Sequence, residues 1–163
     1  MTDERFWTLI DEARAGSNAS APPNQLRKVL ERSGDQEILE FGHKFCENLC
    51  DLNHWNLWAA GYVITGGMGD DSFHYFRSWI IGKGKIAFDL AMRDPDELAP
   101  LVDDEEVDNE LLEYVALEVL EARGIKEDPR ERSARSPDDD PKGEPFEEET
   151  VSSRFPKLAA RPR

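Results

Sequence analysis

The sequence predicts an all-α fold: one compact domain of six or seven short helices, followed by an extended C-terminal tail. Three observations carry this prediction. Apolar residues recur at three- and four-residue spacing through most of the first 125 positions. No segment alternates with period two over a strand's length. Glycine, proline and small polar residues stand where each periodic run begins or ends.

Thr2 is placed to cap a first helix with Asp3 and Glu4 in its first turn. Phe6, Leu9, Ile10 and Ala13 form its inner face, and Gly16 ends it. Pro22-Pro23 open a second helix with Leu26, Val29 and Leu30 on one side and Gly34 as terminator. Asp35 is read as the cap of a third, in which Ile38, Phe41, Phe45, Leu49 and Leu52 give the strongest amphipathic stripe in the chain. Trp55, Trp58 and Tyr62 mark a fourth helix that stops at Gly66-Gly67. Asp70 caps a fifth, from about Asp71 to Ile81, which Gly82-Lys83-Gly84 breaks before a short sixth from Lys85 to Met92. Asp94-Pro95 start one further turn. The last helix, Asp108 to Arg123, is expected to bury Leu111, Leu112, Val115, Val119 and Leu120, with Gly124 at its end.

The chain has 163 residues, with 20 Lys and Arg against 35 Asp and Glu, a formal net charge of −15. Residues 1–125 hold 11 of the basic and 25 of the acidic residues, so the negative charge belongs to the body. Such a surface works against nucleic acid or anionic membrane as partners, because phosphate contacts need Lys and Arg. It suits a basic protein partner instead. The longest apolar stretch, around Trp58 to Thr65, is under half of the roughly 20 residues a bilayer crossing needs. Asp3, Glu4 and Arg5 lead into an amphipathic segment, not the apolar run of a signal peptide. The expected location is cytoplasmic. Cys46 and Cys50, four apart in a helical pattern, cannot staple distant segments.

Residues 1–125 are read as the helical domain, 126–145 as an acidic, Pro-rich flexible linker and 146–163 as a docking tail. Asp128 to Pro145 carries Pro129, Pro137, Pro141, Pro145 and the run Asp138-Asp139-Asp140, with no aromatic or large aliphatic residue to offset ordering entropy. Phe146, Val151, Phe155 and Leu158 then supply apolar groups for docking; a wholly disordered tail is the alternative.

Four residue groups invite functional readings. His43, Cys46, Cys50 and His54 have metal-ligating side chains, but their eleven-position span is about 16 Å along a helix, so one zinc cannot reach all four. Buried structural cysteines are the simpler reading, and neither metal nor cofactor is expected. Gly66-Gly67-Met68-Gly69 before a helix resembles a phosphate cradle, yet Asp70-Asp71 would repel phosphate and instead suit the helix dipole. No nucleophile elbow is present, and no pair of acids is singled out by its spacing. On the fifth helix, Arg77 falls within the arc of Phe73, Phe76, Ile80 and Ile81, so its guanidinium is expected to be buried. A buried charge needs a partner, either a carboxylate, with Asp70 or Asp71 as nearby candidates, or a bound anion. His74 lies at the edge of the same arc. Two functional readings follow: a non-enzymatic binding or regulatory module for a basic protein surface, or a small-ligand binder or enzyme with a pocket formed by Asp70, Asp71, His74, Arg77 and Trp79.

The segment from Trp55 to Ile64, with Gly66-Gly67, Asp70-Asp71-Ser72-Phe73, Phe76-Arg77-Ser78-Trp79-Ile80-Ile81 and Asp94-Pro95-Asp96-Glu97-Leu98-Ala99, resembles the bacterial family called domain of unknown function 4240. The opening Phe6-Trp7-Thr8-Leu9-Ile10 and the closing Phe155-Pro156-Lys157-Leu158 are similar to the family's two ends. Gly82-Lys83-Gly84 departs from its more usual Gly-Gln-Gly. The resemblance implies a cytoplasmic, mainly helical protein of high-GC bacteria and leaves its chemistry open.

Overall fold

The periodic segments become helices in a computed structural model that describes residues 1–102 and 106–162. Among the described residues there are eight α-helices: α1 (Asp3–Arg14), α2 (Pro23–Glu31), α3 (Asp35–Asp51), α4 (Trp55–Thr65), α5 (Asp70–Lys83), α6 (Lys85–Arg93), α7 (Val115–Ala122) and α8 (Pro156–Ala159). Four 3₁₀ segments lie at Pro95–Leu101, Glu110–Tyr114, Pro129–Arg132 and Val151–Arg154. The described residues form no strand, only an isolated parallel bridge between His54 and Lys142. Helix α1 packs on α2, α7 lies across α2 and α3, and α5 runs between α3 and α6.

The predicted inner faces account for much of the core. Phe6 stacks on Phe41 at 4.8 Å, with Phe45 on the same side, and Trp58 stacks on Phe73 at 4.7 Å. The α3 stripe of Ile38, Phe41, Phe45, Leu49 and Leu52 is buried throughout. No helix among the described residues is long and apolar enough to cross a membrane.

Several local expectations need correcting. Thr2 does cap α1, its Oγ1 accepting the Arg5 N–H at 3.1 Å. Asp35 and Asp70 are not caps: Gly34 and Gly69 occupy those positions without a side-chain bond. Asp35 instead pairs with Arg123 at 2.8 Å, and Asp70 Oδ1 accepts the Asp71 N–H at 3.0 Å. Gly82 and Lys83 lie inside α5; the break falls at Gly84, where φ is +101°. The last helix starts as a 3₁₀ turn, because Asn109 is bound to α5 through its N–H to the Tyr75 carbonyl and its own carbonyl from Ser78 Oγ. With about three residues per turn there, Leu111 rotates out of the core and is 59% exposed, while Leu112 is buried.

Beyond α7 the chain lies along the body. Pro129 is buried against Gly42 of α3, where a Cβ would stand 2.5 Å from its ring. Val151, Phe155 and Leu158 are buried, and Phe146 lies 5.5 Å from the Tyr62 ring. Between these anchors, 133–145 contains no buried residue and is attached by hydrogen bonds and ion pairs, consistent with its lack of aromatic or large aliphatic side chains. Composition reads this stretch as a linker; the polar contacts that seat it could not be read from composition. Arg163 of the tail lies outside the described residues.

Candidate functional site

A cleft of about 490 Å³ opens at the N-terminal end of α5. Asp70 and Asp71 stand at its rim and His74 lies one turn further in, as their spacing on one helix requires. The facing wall is the Glu110–Tyr114 turn with Glu113 and Tyr114, and the third side is the crossing segment with Arg130, Pro137 and Asp138.

The innermost pair is His74 and Glu113. His74 Nε2 lies 3.0 Å from Glu113 Oε1, and His74 Nδ1 lies 3.6 Å from Asp138 Oδ1. Burial pushes the Glu113 carboxyl up, but the hydrogen bond and charge of His74, with Tyr114 and Arg130, outweigh it and leave the group below its usual range. An ionised carboxylate only accepts, so the His74 proton that faces it sits on Nε2 and Nδ1 is turned toward Asp138. Burial and the neighbouring Glu113 push the Tyr114 phenol up to about 12. Burial, with Cys50 next, does the same to Cys46, to about 12, so this thiol on the cleft wall is held in its unreactive form.

Five carboxylates line the cleft: Asp70, Asp71, Glu113, Glu131 and Asp138. Its two arginines are already engaged. Arg130 grips Asp128 with Nη2 to Oδ2 at 2.7 Å and lies over the Tyr114 ring, and Arg135 bonds Asp51 at 2.7 Å and also Glu47. A second cleft, between α1, α3 and α6, shares Arg135, but its cations are likewise paired: the Met1 amine with Glu40, Lys44 with Asp3 and Lys85 with Asp89.

Arg77 lies behind the first cleft. It is only 3% exposed, as its position in the apolar arc predicts, but among the described residues its hydrogen-bond partners are backbone carbonyls and not a carboxylate. Nη1 donates to the Leu49 carbonyl at 3.0 Å and to the Pro137 carbonyl at 3.1 Å, and the guanidinium lies 4.6 Å over the Phe73 ring. Leu49 is in the last turn of α3, where carbonyls lack intrahelical donors and the helix dipole is negative, so the helix end takes the role expected of Asp70 or Asp71. Burial holds the Arg77 pKa down to about 10 against the opposing charge of Asp138. Trp79 faces elsewhere: its carbonyl accepts Ser20 Oγ and its ring lies beside Lys83 Nζ at 5.2 Å. Asp70, Asp71 and His74 thus meet at one site, Arg77 backs it, and Trp79 is apart.

Glu113, Tyr114, Arg130 and Asp138 escaped the sequence reading. One signal was available for Glu113, which falls three positions before Ala116 and seven before Leu120, on a face that is otherwise buried. Of the four residues with metal-ligating side chains, Cys46 and Cys50 are buried, and His54 caps α4 by accepting the Leu57 N–H at 3.2 Å. Among the described residues, no group of three or more His, Cys, Asp or Glu is arranged to hold a metal ion.

No curated protein and no solved structure matches the chain. A family model described as "Protein of unknown function (DUF4240)" matches residues 1–122, which include α1 to α7 and every cleft residue contributed by α3, α5 and the Glu110–Tyr114 turn. The chain therefore belongs to the DUF4240 family.

Proposed function

We propose that the protein is a non-enzymatic binding module whose cleft at the start of α5 receives a basic side chain of a partner protein. The observation that carries this reading is the charge balance of the cleft: five lining carboxylates, with both lining arginines committed to other acids. Asp70, Asp71 and Asp138 meet the incoming cation at the mouth, and the Tyr75 ring offers a face for its alkyl stem. The net charge of −15 speeds encounter with a basic surface.

The test is titration of isotope-labelled protein with an Arg- and Lys-rich peptide and, separately, with arginine amide. Expected are shifts of the Asp71, His74 and Glu113 resonances, binding that weakens with added salt, and a several-fold loss in the Asp70→Asn, Asp71→Asn double variant. Arginine amide binding as tightly as the peptide would replace the protein partner with a small cationic ligand. No shift with either probe refutes the cleft as a cation site.

The His74–Glu113 pair supports a second, enzymatic reading. When His74 is neutral, with its proton on Nε2 toward Glu113, Nδ1 is able to take a proton from a bound group. Arginine ethyl ester combines the cation with a cleavable bond and serves as the probe. Turnover lost in His74→Ala supports the reading, and turnover that is absent or independent of His74 ends it.

A further inference from the structure

The strap 133–145 spans the body between two buried anchors, Pro129 before it and Val151, Phe155 and Leu158 after it, yet none of its own residues is buried. Its attachments are polar: Ser133 and Arg135 to Glu47, Arg135 to Asp51, Asp139 to Asn53, and backbone bonds of Lys142 with Asn53 and Trp55. A segment with no buried residue of its own, held by polar contacts between firm anchors even where two of them reach the buried Asn53 and Arg77, opens well below the global unfolding free energy. Beneath it lies the buried Arg77.

The state of Arg77 is unusual in three respects. None of its charge is met by a carboxylate within ion-pair distance among the described residues. Its Nε is buried without a hydrogen-bond partner. One of its two acceptors, the Pro137 carbonyl, belongs to the strap. A guanidinium binds an oxyanion through two parallel charge-assisted bonds, each stronger than one to a neutral carbonyl. When the strap lifts, Pro137 leaves and Asp138, the carboxylate whose charge acts most on Arg77, leaves with it. Leu49 and Phe73, on the body, hold the guanidinium in place.

We propose that Arg77 is the centre of an oxyanion site, for a carboxylate or phosphate group, that strap 133–145 keeps shut by presenting the Pro137 carbonyl in the anion's place. The strap contributes Pro137 and Asp138 to both sites, but the anion-binding guanidinium of Arg77 lies outside the cleft lining, and opening and anion binding shift together because the bound anion and Pro137 exclude one another.

Amide hydrogen exchange on the full chain, with and without inorganic phosphate or, in a separate arm, acetate, tests the proposal. Amides of 134–142 are expected to exchange at least about tenfold faster than those in the middle of α3 and α5, as low local stability requires, and faster still when either anion is added. Arg135→Ala, which removes the strap's ion pairs with Glu47 and Asp51 and leaves only Ser133 on Glu47, should tighten phosphate binding by about tenfold, because less opening work is taken from the binding energy. Arg77→Leu should lose the response to both anions. Strap amides as protected as α5, exchange unchanged by both anions, or an Arg135→Ala variant that binds phosphate no better than wild type would each overturn the proposal. If Arg77→Leu does not fold, the Arg135→Ala arm decides alone; a folded Arg77→Leu that still responds shows an adventitious ion only, and also overturns it.

Discussion

The carboxylate of Asp96 accepts the backbone N–H of Leu158 at 2.9 Å and that of Lys157 at 3.2 Å, so a buried acid of the Pro95–Leu101 turn caps the first turn of α8. Asp96 is 7% exposed, and its two oxygens satisfy donors that α8 is too short to use internally. Tail docking thus combines this cap with burial of Val151, Phe155 and Leu158. Asp96→Ala should destabilise the protein by roughly 2 kcal/mol, in line with hydrogen bonds to a charged acceptor and the loss of a cap. Asp96→Asn, which keeps one acceptor oxygen, should lose less. Ending the chain after Gly124 should lower the melting temperature further, since each large apolar side chain contributes about 1.5 to 3 kcal/mol on burial, less the entropy of ordering the tail. Urea denaturation of the point variants and a melting curve of the truncation check this; a truncated protein that melts as the full chain does would show the tail undocked.

Glu113 gives the cleft an acid-sensitive component. Burial raises its pKa, and His74, Tyr114 and Arg130 together lower it more, so the folded-state value lies below the unfolded one. A depressed carboxyl contributes stability that is fully present above the unfolded pKa, about 4.3, and is lost as pH falls through the folded value. Glu113→Gln should therefore be clearly less stable than wild type at pH 7, with the difference shrinking at pH 3. Urea midpoints at the two pH values measure it. A gap that stays constant or widens in acid would show that His74 does not hold Glu113 ionised.

How far the sequence could be read depended on the range of the interaction. The α3 stripe was legible because helix periodicity alone decides which side chains face inward, and all five of its members are buried. Asp70, Asp71 and His74 were legible as one group because they share a helix end. Glu113 was not, since it reaches His74 from 39 positions away, and Asp138 arrives on a segment whose composition shows no reason to pack. Arg77 was legible in part: its place in the apolar arc implied burial, but its acceptors are backbone carbonyls, which side-chain patterns do not reveal. Leu111 was misplaced because a 3₁₀ turn keeps a different period from the α-helix assumed for it.

Gly82 shows the same lesson in reverse, because what reads as a helix breaker is a point of close approach within α5. Its carbonyl accepts the Ala21 N–H at 2.8 Å, which draws the 17–22 loop onto the helix. A Cβ at this position would stand 2.1 Å from Ser20 Oγ, 2.9 Å from Leu112 Cδ2 and 3.2 Å from the Ala21 nitrogen. Ser20 Oγ is not free to retreat, since it donates to the Trp79 carbonyl at 3.0 Å and accepts from Asn109 Nδ2 at 2.9 Å. In an exposed helix interior, replacing Gly with Ala usually stabilises by about 1 kcal/mol. Here overpacking, typically about 1 to 3 kcal/mol, outweighs that gain, so Gly82→Ala should destabilise. Gly34→Ala, where a Cβ meets open space, has no clash to relieve and should cost about 1 kcal/mol, the difference between Gly and Ala at an N-cap. Adding Ser20→Ala to Gly82→Ala removes the closest clash and should recover part of the loss, which a double-mutant cycle in urea would measure. A Gly82→Ala variant more stable than wild type would mean that the 17–22 loop does not sit on α5 in solution.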